Sequence, residues 1–521
     1  MRSKLPYIVI VLTTAAIAIA LWPSRSDYPI DDTFITFRYA EHLAMGHGLV
    51  WNIGGPPTEG YTNFLFVLLL APFAWLGMDL LLASQIINVL AVAVSAIYIY
   101  RITISSGAGG ARWMGVVPSI LFLATPATWA NALSGMETVV FGALSIAAVY
   151  HSLDDRRFYL GYLLFLLAAL TRPEGAVVAM IVLLFHLLKF DRKSVLLSFI
   201  VGFALPLALY YIGKRFYFGH WLPNSFAVKV VQAVGEDRSM FQGLQAVKLF
   251  LLRVWPLLIL AAVPLLFERT WRSLCLLVCA LILIAAYTVP APLMGFFDRF
   301  FHSSEVLIFS LAGAGLLALH RHLGLQQAGL AGGLLLALFI FSNTQSPRAK
   351  EILAWDLSDI NRSIELIGED IRTLPSADRL TFASSDAGIM PYVSRMKHFD
   401  LAGLNETSVA HAKSADEVVD QIMQARPDIL VLSADWSSSP TTDTCRLISR
   451  KVHGKLSTAV DRLLTDPRFQ HYQPVASYPT GLYDYAVLLD RRSQMFSSLD
   501  SAYRSRIGSS RVSTVRITCI N

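Results

Sequence analysis

Charge is what this chain has little of. Only 15% of its 521 residues are Asp, Glu, Lys or Arg, against 55% hydrophobic, where soluble domains carry roughly 25% charged residues. That balance excludes a soluble globular protein over most of the length and points to a core that faces lipid. Cysteine is scarce as well. Four are too few for a disulfide scaffold, and their spacing fits no zinc motif. Cys275 and Cys279 fall at helical spacing in an apolar run and read as packing residues, while Cys445 and Cys519 lie in the polar C-terminal part, where one bridge between them is open. The net charge of +6 rests on Lys and Arg scattered between apolar runs. No basic, aromatic-interleaved face forms, which disfavours nucleic-acid binding.

Long apolar runs are what the chain has instead. The first, residues 5–22, follows Arg2 and Lys4 and contains no charge, so it reads as a retained anchor rather than a cleaved signal. Further runs lie near 80–100, 114–130, 137–151, 158–171, 175–189, 194–212, 245–267, 273–290, 305–319 and 328–342. If residues 63–78 are interfacial or re-entrant rather than a full crossing, Arg101/Arg112, Arg156/Arg157, Lys189/Arg192/Lys193, Arg269/Arg272 and Arg321 share the N-terminal, cytoplasmic side. The expectation is therefore a polytopic α-helical protein of the cell membrane. It has about eleven spans, its N-terminus inside and its C-terminus outside.

This topology gathers unusual loops on the outer face. The first, residues 23–62, carries the adjacent carboxylates Asp31 and Asp32 with Arg38 and Glu59. Others carry Glu137 in SGMET, Arg172 and Glu174 in TRPEG, Arg215, Asn224 and Lys229 in KRFYFGHWLPNSFAVK, and Asp298, Arg299 and His302 in FFDRFFHSS. Each residue taken alone has a structural explanation, as a helix cap, a local ion pair or part of an interfacial aromatic belt. Together they put cations where positive charge is usually scarce, and a phosphate at headgroup level would account for them. A carboxylate beside such a phosphate suits general-base work on a sugar hydroxyl, which is a poor nucleophile at neutral pH. Asp31 is favoured over Asp32 for that role. A Mg²⁺ beside the pair is allowed but not required, and no metal ligands are assigned.

The strings DDTFITFRYAEHLAMGHGLVWN, EGYTNFL, SGMET, LTRPEG, LPNSF, DAGIMPY and DLAGLN, spread over about residues 27–405, resemble the GT-C superfamily of membrane glycosyltransferases. The resemblance is strongest to its mycobacterial terminal arabinofuranosyltransferase branch. It implies a polyprenyl-phosphate-linked sugar as donor, inverting transfer on the outer face, and a first-loop acid, here Asp31 or Asp32, near the acceptor hydroxyl. The acceptor class it implies is a glycan, lipid or protein of the cell envelope. The branch tends to have a Gly-Gly-Asp-like loop before a late span, and this chain reads PLMGFFDRFFHSSE there instead.

From residue 343 the composition becomes that of a soluble domain. RLTFASSDAG, DILVLSAD, YQPVASYP and YAVLLDR read as short strands, with helical periodicity in DEVVDQIMQA and over residues 348–371. The organisation expected is a multi-span unit over residues 1–342 and an extracytoplasmic α/β domain over 343–521. DAGIMPY reads as lining an acceptor groove or, the favoured reading, as the turn after a strand at Gly388. Two other functions share this hydropathy. A flippase for lipid-linked sugars would need polar residues along its spans, whereas here they concentrate in outer loops, and a non-catalytic envelope-assembly protein would leave the acidic pair unused.

Overall fold

A computed structural model describes residues 4–105, 112–154, 158–228, 237–288, 295–353, 358–438, 445–449, 455–479 and 484–506. Arg156, Arg157, Lys229 and Cys519 lie outside the described residues. The chain begins with α1 (Leu5–Leu21), α2 (Asp31–Ala44), α3 (Phe64–Trp75) and α4 (Leu80–Ser105). Then come α5 (Val116–Leu123), α6 (Pro126–Leu133), α7 (Thr138–Ser152), α8 (Phe158–Thr171) and α9 (Glu174–Lys189). The bundle ends with α10 (Arg192–Phe199), α11 (Leu205–Phe218), α12 (Asn224–Phe226), α13 (Asp237–Phe267), α14 (Trp271–Ala285) and α15 (His302–Gln345).

Each expected apolar run is helical over most of its described residues, but the helices differ in length. Among the described residues six helices are long and apolar enough to cross a membrane, and the bent pair α5–α6 adds a seventh. The bend of 57° follows from Pro126, which cannot donate to the preceding turn and holds Thr125 extended. α7, α8 and α14 are shorter apolar helices. α7 is buried along nearly all of its length, and Gly142, Ala143, Ala147 and Ala148 let its neighbours approach closely. A helix so surrounded meets protein rather than lipid and need not match the bilayer thickness. In α15 Gly324 adopts φ 79°, a left-handed conformation that favours glycine, and splits the element into two spans.

Beyond α16 (Pro347–Leu353) and α17 (Ser358–Arg372) the chain builds a six-stranded mixed sheet, β1 (Thr381–Ser384), β2 (Lys397–Asp400), β3 (Ile429–Ser438), β4 (Cys445–Ser449), β5 (Tyr472–Pro479) and β6 (Asp484–Asp490). The order is β2-β1-β3-β6-β5, with β4 against β3; β1 runs parallel to both β2 and β3, and the other pairs are antiparallel. Alternation along β3 sets the two faces. Ile429 and Val431 pack with Ile364, Ile367 and Ile371 of α17, while Leu430 and Leu432 pack with Val418, Val419 and Ile422 of the helix Ala415–Ala425. All four expected strands are present. β2 and β4 were missed because KHFD and CRLIS are too short and too polar for a clear period-two pattern.

Candidate functional site

Consecutive residues on a helix point about 100° apart, so Asp31 and Asp32 at the start of α2 make different hydrogen bonds, although both carboxylates lie within electrostatic reach of Asp386. One stripe of α2 faces the sheet domain. Asp31 Oδ2 accepts from Gly388 N–H at 3.0 Å and Oδ1 from Ile389 N–H at 2.7 Å, at the start of the short helix α18 (Ile389–Ser394). Three, seven and ten residues on, the stripe continues. Phe34 lies 5.4 Å from the Tyr392 ring, Arg38 donates to the Pro391 and Met396 carbonyls, and Glu41 accepts from the Tyr392 hydroxyl at 2.6 Å and pairs with Arg395. Gly388 is required by this approach, since a Cβ there would fall 1.9 Å from the Asp31 carbonyl oxygen. The expected turn glycine is thus also a contact point between the two halves of the chain.

The rest of the first loop is locked to the same domain. Trp51 Nε1 donates to His398 Nδ1 at 3.2 Å, Asn52 exchanges two hydrogen bonds with the His398 backbone at 2.9 Å each, and the Tyr39 hydroxyl donates to Asn405 Oδ1 at 3.1 Å. His42 donates from Nδ1 to the Val50 carbonyl at 2.8 Å, and burial pushes its pKa down to about 4.

The other stripe of α2, with Asp32, Ile35 and Thr36, forms a wall of a cavity of about 330 Å³. Gly60, Tyr61 and Asn63 complete that side, and Glu137, Arg172, Glu174, Ser225, Phe226, Tyr287, Arg299 and Phe300 close it. Five ionisable groups from four loops therefore meet here. Arg172 is committed to its neighbours, donating to Glu137 at 2.9 Å, Glu174 at 3.2 Å and the Tyr287 hydroxyl at 2.7 Å. Glu137 takes a further hydrogen bond from Asn63 Nδ2 at 2.9 Å, and Asn63 in turn donates to Thr36 Oγ1 at 3.0 Å. Arg299 is held differently. Its Nη2 donates to Asp32 Oδ2 at 3.2 Å, while Nε and Nη1, both buried, have no partner among the described residues.

An ionic network behind the wall presents Arg299. Phe297 and Asp298 both have φ 56°, an uncommon conformation for non-glycine residues. Asp298 is buried between two guanidinium groups, accepting from Arg253 Nε at 2.9 Å and Arg348 Nε at 2.7 Å, while Arg253 also meets Glu305 at 2.7 Å and 2.8 Å. Arg348 adds a hydrogen bond to the Gly295 carbonyl at 2.7 Å, tying down the start of the turn. Arg253 escaped the reading of the sequence, although a lone arginine inside an apolar run is itself a signal.

Several expected site residues stand elsewhere. Arg38 is not a phosphate ligand in this arrangement, because its guanidinium is used up on the carbonyls of Trp51, Pro391 and Met396 and on Asn52. His302 is buried against Phe122 and Gly142, away from the cavity. Arg215 is exposed on the last turn of α11. Glu59 forms a buried ion pair with Lys214 at 2.7 Å, and Asn224 donates its N–H to the Glu59 carbonyl and its side-chain amide to Thr407. Asp31, the favoured base, faces the sheet domain. Burial and the charges of Asp386 and Asp32 push its pKa well up against the pull of the two N–H donors, but both of its oxygens are occupied. Tyr61, Ser225 and Tyr287 line the cavity and were not singled out, although the first two lie in the strings EGYTNFL and LPNSF.

Among the described residues no group of three or more His, Cys, Asp or Glu could hold a metal ion. A profile described as a domain of unknown function, DUF8728, matches residues 364–496, within the sheet domain. No curated protein sequence matches the chain. Solved structures do resemble it. ArnT from Cupriavidus metallidurans bound to undecaprenyl phosphate superposes with a TM-score of 0.57 at 12% identity, over 93% of this chain and 98% of that one. The archaeal oligosaccharyltransferase AglB from Archaeoglobus fulgidus, in complex with an inhibitory peptide and a dolichol-phosphate, gives 0.55 at 12% identity over 91% and 80%. An Archaeoglobus fulgidus oligosaccharyltransferase in the apo form gives 0.53 at 12% over 94% and 74%. At such identity the likeness establishes the fold, which is the GT-C architecture of a multi-pass membrane protein with a C-terminal sheet domain.

Proposed function

We propose that the protein is a membrane glycosyltransferase that moves a sugar from a polyprenyl-phosphate carrier to an acceptor hydroxyl outside the cytoplasm. The observation that carries this reading is the pairing of Asp32 with a half-unpartnered Arg299 in one cavity. The apolar cavity residues Val177, Phe226, Ala286 and Phe300 suit a lipid carrier, and the fold is shared with proteins solved with undecaprenyl phosphate and a dolichol-phosphate.

In the proposed step the acceptor oxygen attacks the anomeric carbon and its proton passes to the Asp32 carboxylate. The bond between the anomeric carbon and the phosphate oxygen breaks, and its electron pair leaves on the phosphate, so a diester becomes a monoester with one more negative charge. Arg299 stabilises that charge through Nε and Nη1 while its Nη2 orients the base. Direct displacement inverts the anomeric centre, and the leaving phosphate needs no separate acid. Arg172, already balanced by two carboxylates, contributes shape and field more than a free positive charge.

The resemblance of the first-loop strings favours arabinofuranose as the sugar and a cell-wall glycan or glycoprotein as acceptor. The distribution of Lys and Arg supports a cytoplasmic N-terminus and a sheet domain outside. An impermeant thiol reagent should label a cysteine at the exposed Lys413 in intact cells; labelling only after lysis would reverse that sidedness. The function itself is tested by turnover. Purified protein supplied with a hydroxyl acceptor should transfer the label from a radiolabelled polyprenyl-phosphate sugar to it and release polyprenyl phosphate, and transfer of none across a pentose and hexose panel with glycan, lipid and peptide acceptors would refute it.

A further inference from the structure

Three uncharged or acidic cavity residues carry polar atoms that no described residue satisfies. The Tyr61 hydroxyl, the Ser225 hydroxyl and Glu174 Oε2 are all buried and without a hydrogen-bond partner among the described residues. All three residues line the same cavity as Asp32 and Arg299. A buried polar group without a partner costs stability, and nearly all such groups in native proteins are satisfied. Gathered around one cavity with the two unpartnered nitrogens of Arg299, they are groups that a polar ligand there would satisfy.

The chemistry of the trio identifies the ligand group. A carboxylate oxygen accepts only, while a phenol and a serine hydroxyl can each donate and accept. A second phosphate would be repelled by Glu174, and an alkyl chain would leave all three unsatisfied. A ring bearing several neutral hydroxyls supplies donors and acceptors together. The backbone ties two of the trio together. Asn224, next to Ser225, donates its N–H to the Glu59 carbonyl at 3.0 Å, which holds the Ser225 segment against the strand of loop that carries Tyr61. The Tyr61 ring packs at 4.7 Å against Tyr39, and Glu174 Oε1 is held by Arg172 while Oε2 has no partner among the described residues.

We infer that Tyr61, Ser225 and Glu174 form the subsite that reads the hydroxyl groups of the transferred sugar and sets which sugar is accepted, separately from the phosphate contact at Arg299. This inference rests on the donor reading given above. It makes the cavity two-part, with carrier affinity decided by Arg299 and sugar choice decided by the trio.

Binding of two probes to purified protein tests it without an acceptor: a polyprenyl monophosphate, and the same lipid phosphate carrying arabinofuranose, mannose or glucose. The best sugar lipid should bind more tightly than the bare phosphate. Tyr61→Phe and Ser225→Ala should each reduce that advantage about threefold to tenfold, the effect of losing one neutral hydrogen bond, and leave affinity for the bare phosphate unchanged. Both variants should melt at the same temperature as the wild type or higher, because each removes an unpartnered buried hydroxyl. Glu174→Gln should change the rank order of the three sugars. Arg299→Ala should weaken both probes alike. An unchanged sugar advantage and rank order in all three trio variants, with binding otherwise normal, would overturn the subsite while leaving the donor reading in place. Binding of neither probe by the wild type would overturn the donor reading and the subsite with it.

Discussion

Asp32 and Arg299 meet at 3.2 Å across 267 residues of sequence, and the guanidinium spends only one of its three nitrogens on the contact. That residual capacity distinguishes Arg299 from every other described arginine of the cavity wall. Arg299→Ala should lower kcat/KM for a polyprenyl-phosphate sugar about tenfold to a hundredfold, as expected for one charge-assisted contact. Arg299→Lys should recover only part of it, because a point charge cannot hold carboxylate and phosphate in a fixed fork. Arg215→Ala, at an exposed position outside the cavity, should leave donor kinetics intact.

The neighbouring carboxylate should behave as a structural residue. Asp31→Asn keeps one acceptor oxygen but turns an amide toward the Gly388 and Ile389 N–H groups, and should destabilise the joint between loop and sheet domain by about 2 kcal/mol. Gly388→Ala should do more harm, since its Cβ would collide with the Asp31 backbone. Limited proteolysis of the sheet domain and thermal unfolding measure both, and activity lost without any change in stability would return Asp31 to the chemistry.

Asp298 holds the buried Arg253 and the partly buried Arg348, so removing its charge should be costly. Asp298→Asn is expected to destabilise the protein by about 3–5 kcal/mol, the usual effect of stripping one partner from a buried ion pair. In the fraction that folds, kcat should fall more than donor affinity, because the turn that aims Arg299 is loosened. Unfolding in detergent together with single-turnover kinetics separates the two effects.

His42 supplies a pH dependence. Its ring is neutral in the folded protein, with the pKa lowered from 6.5 to about 4 by burial. A base whose folded pKa is depressed adds stability above pH 6.5 and loses it as the pH falls toward 4, here about 3 kcal/mol in all. His42→Gln should flatten the stability curve between pH 6.5 and 4 relative to wild type, and parallel curves for the two proteins would contradict the assignment.

Much of the architecture could be read from the sequence because it depends on local pattern. Apolar runs became helices, and alternation in DILVLSAD became β3, whose two faces pack with different helices. The site was legible only in part. That Asp31 and Asp32 lie about 100° apart on a helix follows from sequence, but which one meets a cavity depends on Gly388 and Ile389, more than 350 residues away. Arg38 looked like a phosphate ligand for the same reason: the carbonyls that occupy it come from Pro391 and Met396. Glu137, Arg172, Glu174 and Arg299 stand out in the sequence because charge in a loop between apolar runs is conspicuous, whereas the hydroxyls of Tyr61 and Ser225 are ordinary in any loop and become notable only once burial is seen.

The most direct test compares wild type with Asp32→Asn for transfer from a radiolabelled polyprenyl-phosphate sugar to a hydroxyl acceptor, with both proteins shown to fold and to bind polyprenyl phosphate. The substitution keeps size and shape while removing the charge that accepts the proton. Turnover should fall by a factor of about 10² or more while donor binding persists. Near-normal turnover by Asp32→Asn would contradict the account.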